Sequence, residues 1–162
     1  MKSFKSFFGV ITMIDHFWRG GVGRVGCTKL ITVENFNRGV VNFVVSPDTY
    51  FVNQEIVKVG DTVTGFYDAL APTPLIYPPQ LQAIVMSKAS QFYNVKVDYF
   101  DNDLVSSDNT LKLNISPSTQ ILLENGQPFI KSPKNRNLVV IYGPTTRSIP
   151  AQTTPYKIIV LC

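Results

Sequence analysis

Histidine, cysteine and tryptophan are almost missing from this chain: its 162 residues hold one His, two Cys and one Trp. With a single histidine, His16, any Ser-His-Asp or Cys-His arrangement has only one place to be built. His16 sits between Asp15 and Phe17 just past a strand pattern, where a rim histidine is the ordinary outcome. Cys27 and Cys162 are too few for a disulfide framework and lack metal-ligand spacing. The expectation is therefore no cofactor, no metal, reduced thiols and a cytoplasmic location. Long apolar runs are missing too. None reaches the ~20 residues of a transmembrane helix, so no membrane partner is expected.

Further absences narrow the function. MKSFKSFFGVITMI sets Lys2 and Lys5 ahead of an apolar run, yet it closes on Asp15 without a small-residue cleavage site. It alternates like a strand, which argues for mature structure rather than a secretion signal. There is no GxxxxGK[ST] phosphate loop, and Gly20-Gly21-Val22-Gly23 lacks the strand-to-helix setting of a dinucleotide site. Charge is scarce, at 16% of residues, with a net charge of +4. That excess fits a polyanion partner without demanding one.

Carboxylates leave the remaining enzymatic option. Asp98, Asp101, Asp103 and Asp108 crowd into DYFDNDLVSSD, but without the EF-hand spacing or its closing glutamate, so a solvated loop is expected. Asp48, Asp61 and Asp68 lie near strand ends. A glycosidase needs two carboxylates facing each other across a groove, which keeps a carbohydrate-directed protein as an outlying alternative. Asp48 reads as a side-chain cap of its turn, and Asp61 as solvent-facing.

What the chain does have is a β pattern written twice. VNFVVSPDT (41–49) and LKLNISPST (111–119) each run alternating apolar residues into Ser-Pro-x-Thr. TVTGFYD (62–68) is matched by NLVVIYG (137–143). A proline-rich stretch then leads to a closing apolar run, QAIVM (82–86) or KIIVL (157–161). β-branched and aromatic alternation punctuated by Gly, Pro, Asn and Asp predicts strands near 8–14, 28–34, 40–46, 62–67 and 82–87. A second series is predicted near 92–99, 110–116, 119–123, 137–142 and 156–161. Lys88–Gln91 is the expected joint, giving units 1–88 and 89–162 that pack together.

The strand order of the first unit resembles the oligonucleotide/oligosaccharide-binding (OB) fold, a five-stranded Greek-key barrel. The fold class expected is all-β, with two tandem OB-like units. One composite pseudo-symmetric barrel or sandwich is the alternative. Val10 to Ser46 has room for three strands, whereas Val95 to Ser116 suits two, so the second unit is expected to be shorter and incomplete. VNFVVSPDTYFV, GFYDALAPTPLIYPPQ and YGPTTRSIPAQTTP resemble a family of small clostridial and other Firmicutes all-β proteins with tandem OB-like units. That resemblance implies no activity.

The functional expectation is a non-enzymatic binding protein with no catalytic residues. Phe17, Trp18, Arg19, Arg24, Lys29 and Arg38 combine aromatic faces, cations and intervening glycines, as single-stranded nucleic acid or another polyanion requires. A capped barrel end is the plain alternative for the same segment. The proline-rich arms ALAPTPLIYPPQ (69–80) and GPTTRSIPAQTTP (143–155) carry Leu75, Ile76, Tyr77 and Ile149, which are too apolar to leave in water. They are expected to be buried against the other unit, against a second protomer in a self-assembling protein, or against a partner.

Overall fold

The computed structural model describes residues 2–18 and 20–162, which form two units, Met1–Ala89 and Ser90–Cys162. The protein is all-β. No described helix is long and apolar enough to cross a membrane.

In unit 1, period-2 alternation sends one set of side chains inward. The strands are β1 (Phe4–His16), β2 (Lys29–Asn35), β3 (Gly39–Val45), β4 (Tyr50–Phe51), β5 (Thr62–Asp68), β6 (Gln80–Gln82) and β7 (Val85–Lys88). Phe7 and Ile11, Ile31 and Val33, Val41, Phe43 and Val45, with Val63, Ala83 and Met86, make the core. Gly65 takes its place on the core face of β5 because the Phe43 ring fills the volume a Cβ would need.

Pairing in unit 1 runs in a cycle. β1 is antiparallel to β2, β2 to β3, and β3 is parallel to β6. Two residues after β6, the chain enters β7, which is antiparallel to β5, and β5 returns to β1. An irregularity between Ile11 and Met13 lets β1 serve β5 with its first half and β2 with its second.

Unit 2 contains β8 (Asn94–Phe100), β9 (Leu111–Leu113), β10 (Gln120–Leu123), β11 (Arg136–Tyr142), β12 (Ala151–Thr153) and β13 (Lys157–Leu161). Its pairings repeat those of unit 1. β9 is parallel to β12 as β3 is to β6, and β10 is parallel to β13 as β4 is to β7. β11 pairs with β13 and β8 as β5 pairs with β7 and β1. The strand equivalent to β2 is reduced to two bridges, Phe100 to Ser106 and Val105 to Lys112. Each sheet draws its strands from one unit, which does not suit a composite sheet.

The Ser-Pro-x-Thr turns match bond for bond. Ser46 N–H donates to Thr49 Oγ1 at 3.2 Å, and Ser116 N–H to Thr119 Oγ1 at 3.3 Å. Thr49 Oγ1 donates to the Ala83 carbonyl at 2.8 Å, and Thr119 Oγ1 to the Pro155 carbonyl at 2.7 Å. Tyr50 and Gln120 N–H then reach the Ile84 and Tyr156 carbonyls. The cap role expected of Asp48 belongs to these hydroxyls instead. The Asp48 N–H itself donates to Ser46 Oγ, because the turn folds it back over the first residue.

The structure departs from the expected strands at specific places. β1 begins four residues earlier, and the expected strand at 82–87 starts two residues sooner and breaks at Ala83–Ile84, where the chain changes partners. Only Leu111–Leu113 of 110–116 is strand. The short β4, β6 and β12 were not expected as separate strands.

Candidate functional site

Three regions of the fold gather chemistry-bearing side chains. The first is the β1–β2 loop. Phe17 is half-buried, and its N–H donates to the Thr28 carbonyl, closing the loop base. Trp18, beyond it, is 72% exposed. Gly20 and Gly26, at φ 86° and 82°, make the left-handed turns that flank the one-turn 3-10 helix Val22–Arg24. Arg24, Lys29, Val22 and Val25 are exposed. Arg19 lies outside the described residues.

Arg38 does not join this group. It belongs to the β2–β3 turn, and the register pairs Lys29 with Val45 at one end of the hairpin and Asn35 with Gly39 at the other. Six residue steps separate the two ends, about 20 Å of strand. The Arg38 guanidinium lies 5.3 Å from the centre of the Phe7 ring instead. Proximity in sequence grouped Arg38 with Trp18, and an antiparallel hairpin carries them apart.

β1 also carries an exposed apolar stripe that alternation alone does not single out. Phe8, Val10 and Met13 are exposed, while Phe7 and Ile11 face the core. The segment FFGVITM is apolar on both faces, which is the signal that could have revealed it.

The second region is the pair of proline-rich arms, whose apolar side chains are exposed within the single chain. Leu75 is fully exposed, Ile76 is 55% exposed, Tyr77 81% and Ile149 93%. Proline offers no N–H to a strand ladder, and residues 71–79 and 143–150 lie outside the strands. Pairing registers align the two arms: β4–β7 and β10–β13 place Val85 opposite Tyr50 and Lys157 opposite Gln120. On that alignment APTPLIYP (71–78) corresponds to GPTTRSIP (143–150). Tyr77–Pro78 and Ile149–Pro150 are both cis.

The arms differ in how they are held. In unit 2, Gln152 N–H donates to Thr146 Oγ1 at 2.9 Å and Ser148 Oγ to the Pro150 carbonyl at 2.9 Å. Thr153 Oγ1 donates to the Pro144 carbonyl at 2.9 Å. Unit 1 has Pro74, Ile76 and Leu81 in place of those three hydroxyls. Its arm is tied at its ends, by Ala69 N–H to the Ser3 carbonyl and by Asn42 N–H to the Pro79 carbonyl.

The third region is the acidic loop of unit 2. Asp108 receives Lys96 Nζ at 2.6 Å, Ser106 Oγ at 2.7 Å and Thr110 Oγ1 at 2.7 Å. Burial opposes its ionisation, and the hydrogen bonds and charge of Lys96 with the two hydroxyls overcome that, holding the carboxyl far below its usual range. Buried Asp98 accepts from Ser107 Oγ and from the Tyr99 and Asp108 N–H groups. Asp101 accepts from the Asp103 and Val105 N–H groups. Burial raises the Tyr142 phenol, and the Asp108 charge adds to that. Among the described residues no His/Cys/Asp/Glu group could hold a metal ion. The carboxylates fasten a loop.

Asp61 and Asp68 also do structural work. Asp61 accepts from Lys58 N–H at 2.9 Å and pairs with Lys88 at 3.5 Å, so it is tied down rather than turned to solvent. Asp68 accepts from Ser3 and Leu70 N–H, which lowers its pKa. The two stand at opposite ends of β5, about 20 Å apart, well beyond the reach of a carboxylate pair.

Comparison with protein-family models, curated proteins and solved structures finds no match.

Proposed function

We propose that this protein is a non-enzymatic binding and assembly module built from two OB-like barrel units, the second with a truncated β2 equivalent. The pairing cycle β1–β2–β3–β6/β7–β5–β1 supports the barrel reading, because it is the strand order of that fold. Repetition of the same pairings in unit 2 supports an internal duplication. Likeness to the clostridial and Firmicutes proteins remains part of the same proposal, resting on the quoted motifs.

The observation that carries the assembly reading is the exposure of Leu75, Ile76, Tyr77 and Ile149 on stiff prolyl arms. Exposed apolar groups of this size mark a surface that meets another molecule. Arms stiffened by proline lose little conformational entropy when they dock. Sedimentation velocity of the full chain over a wide concentration range tests this. Self-association is expected, and a monomer throughout would remove the reading.

A second reading is favoured by Trp18. An exposed indole with Arg24 and Lys29 on one glycine-bearing loop suits weak, sequence-tolerant binding of single-stranded nucleic acid or another polyanion. In an OB-like unit this loop borders the ligand face. Titrating the Trp18 fluorescence with single-stranded oligonucleotides at two salt concentrations tests it. Two phosphate contacts predict a log–log salt slope of about −1.4. No binding, or binding indifferent to salt, rules it out. A cytoplasmic location suits the exposed free thiols Cys27 and Cys162, which stay reduced there.

A further inference from the structure

We infer that self-association runs through the unit 1 arm alone, in a two-fold contact between two copies of this chain. This rests on the assembly reading and adds which arm makes the contact and what it meets. The two arms hold equivalent places, but the unit 2 arm spends its hydroxyls on its own chain: Thr146 on Gln152, Ser148 on Pro150 and Thr153 on Pro144. At the matching positions unit 1 has Pro74, Ile76 and Leu81. Internal polar ties are thus replaced by apolar side chains and a proline, and Leu75 and Tyr77 beside them face solvent.

The patch extends beyond the arm. The Tyr77 hydroxyl lies 4.0 Å from where a Cβ on Gly39 would stand, in the β2–β3 turn that also carries fully exposed Phe36. Phe36 and Tyr77 together offer roughly 300–500 Å² of ring surface. With Leu75 and Ile76 this is about half or more of the ~800 Å² that each partner brings to an interface of standard size.

A second copy is the partner this chemistry fits. Residues 69–79 contain no charged side chain. A two-fold contact lays the same patch on both sides, so charged patches would meet their own sign across it. This segment avoids that cost, and Arg38 of the neighbouring turn is drawn onto the Phe7 ring, whereas the unit 2 arm carries Arg147 with no acidic residue in 143–155 to offset it.

The test compares sedimentation velocity of the full chain with Leu75→Asp and with Ile149→Asp, each checked for an unchanged circular dichroism spectrum. A dimer is expected for the parent chain. Leu75→Asp weakens it at least about tenfold, and Ile149→Asp leaves it intact. Ile76→Ser is a second variant on the same arm and behaves as Leu75→Asp does. If Leu75→Asp and Ile76→Ser keep the dimer, or if Ile149→Asp dissociates it, the assignment to the unit 1 arm is overturned while assembly stands. A parent chain that stays monomeric overturns assembly itself.

Discussion

Lys96 Nζ lies 2.6 Å from Asp108 Oδ2, an ion pair anchored in the loop that replaces a full second strand in unit 2. Asp108 has its pKa depressed on folding. Its contribution is therefore complete above the unfolded carboxylate value of about 4 and declines as pH falls through the lower folded value. Removing the pair leaves a partly exposed site, so solvent screening limits the loss to about 1 kcal/mol. Lys96→Met should lower the urea midpoint at pH 7, by less at pH 3. An equal loss at both pH values would show that the pair contributes through packing alone.

Thr49 and Thr119 predict matched effects. Each hydroxyl donates to a carbonyl of the closing segment and accepts an N–H of its own turn. Thr49→Val and Thr119→Val should each destabilise by about 1–2 kcal/mol in chemical denaturation. A loss in one and none in the other would contradict equivalent turns.

Gly65 and Phe43 are coupled through shared volume. A Cβ on Gly65 collides with the Phe43 ring, so Gly65→Ala should cost about 1–3 kcal/mol. Adding Phe43→Leu should cost less in the Gly65→Ala background than in the parent, a difference that a double-mutant cycle measures. Strict additivity would show that the ring and the glycine do not share that space.

Much of the fold could be read from residue alternation, because half-buried strands write a period of two. The paired Ser-Pro-x-Thr turns were visible as a motif that occurs twice. β4, β6 and β12 were not, since strands of two or three residues beside prolines leave no period to detect. The acidic loop read as solvated, and its bonds to Lys96 and Ser107 depend on pairings that no local pattern encodes. Exposure of Leu75 and Ile149 could not be read either. An apolar side chain in a loop looks the same whether its partner lies in the same chain or in another.

Trp18, the sole tryptophan, reports on the β1–β2 loop without interference. Its exposure predicts ready quenching by acrylamide and little change of emission wavelength on unfolding. Trp18→Ala should shift stability by no more than about 0.5 kcal/mol. A blue-shifted native emission would mean that the indole is covered.

The repeated architecture is tested most directly by native-state amide hydrogen exchange. Tyr50 and Ile84 N–H donate to the Ile84 and Phe66 carbonyls, as Gln120 and Tyr156 N–H do to the Tyr156 and Ile141 carbonyls. All four amides should exchange slowly, each with protection similar to that of its counterpart. Slow exchange at Tyr50 and Ile84 with free exchange at Gln120 and Tyr156 would contradict two units closed in the same way.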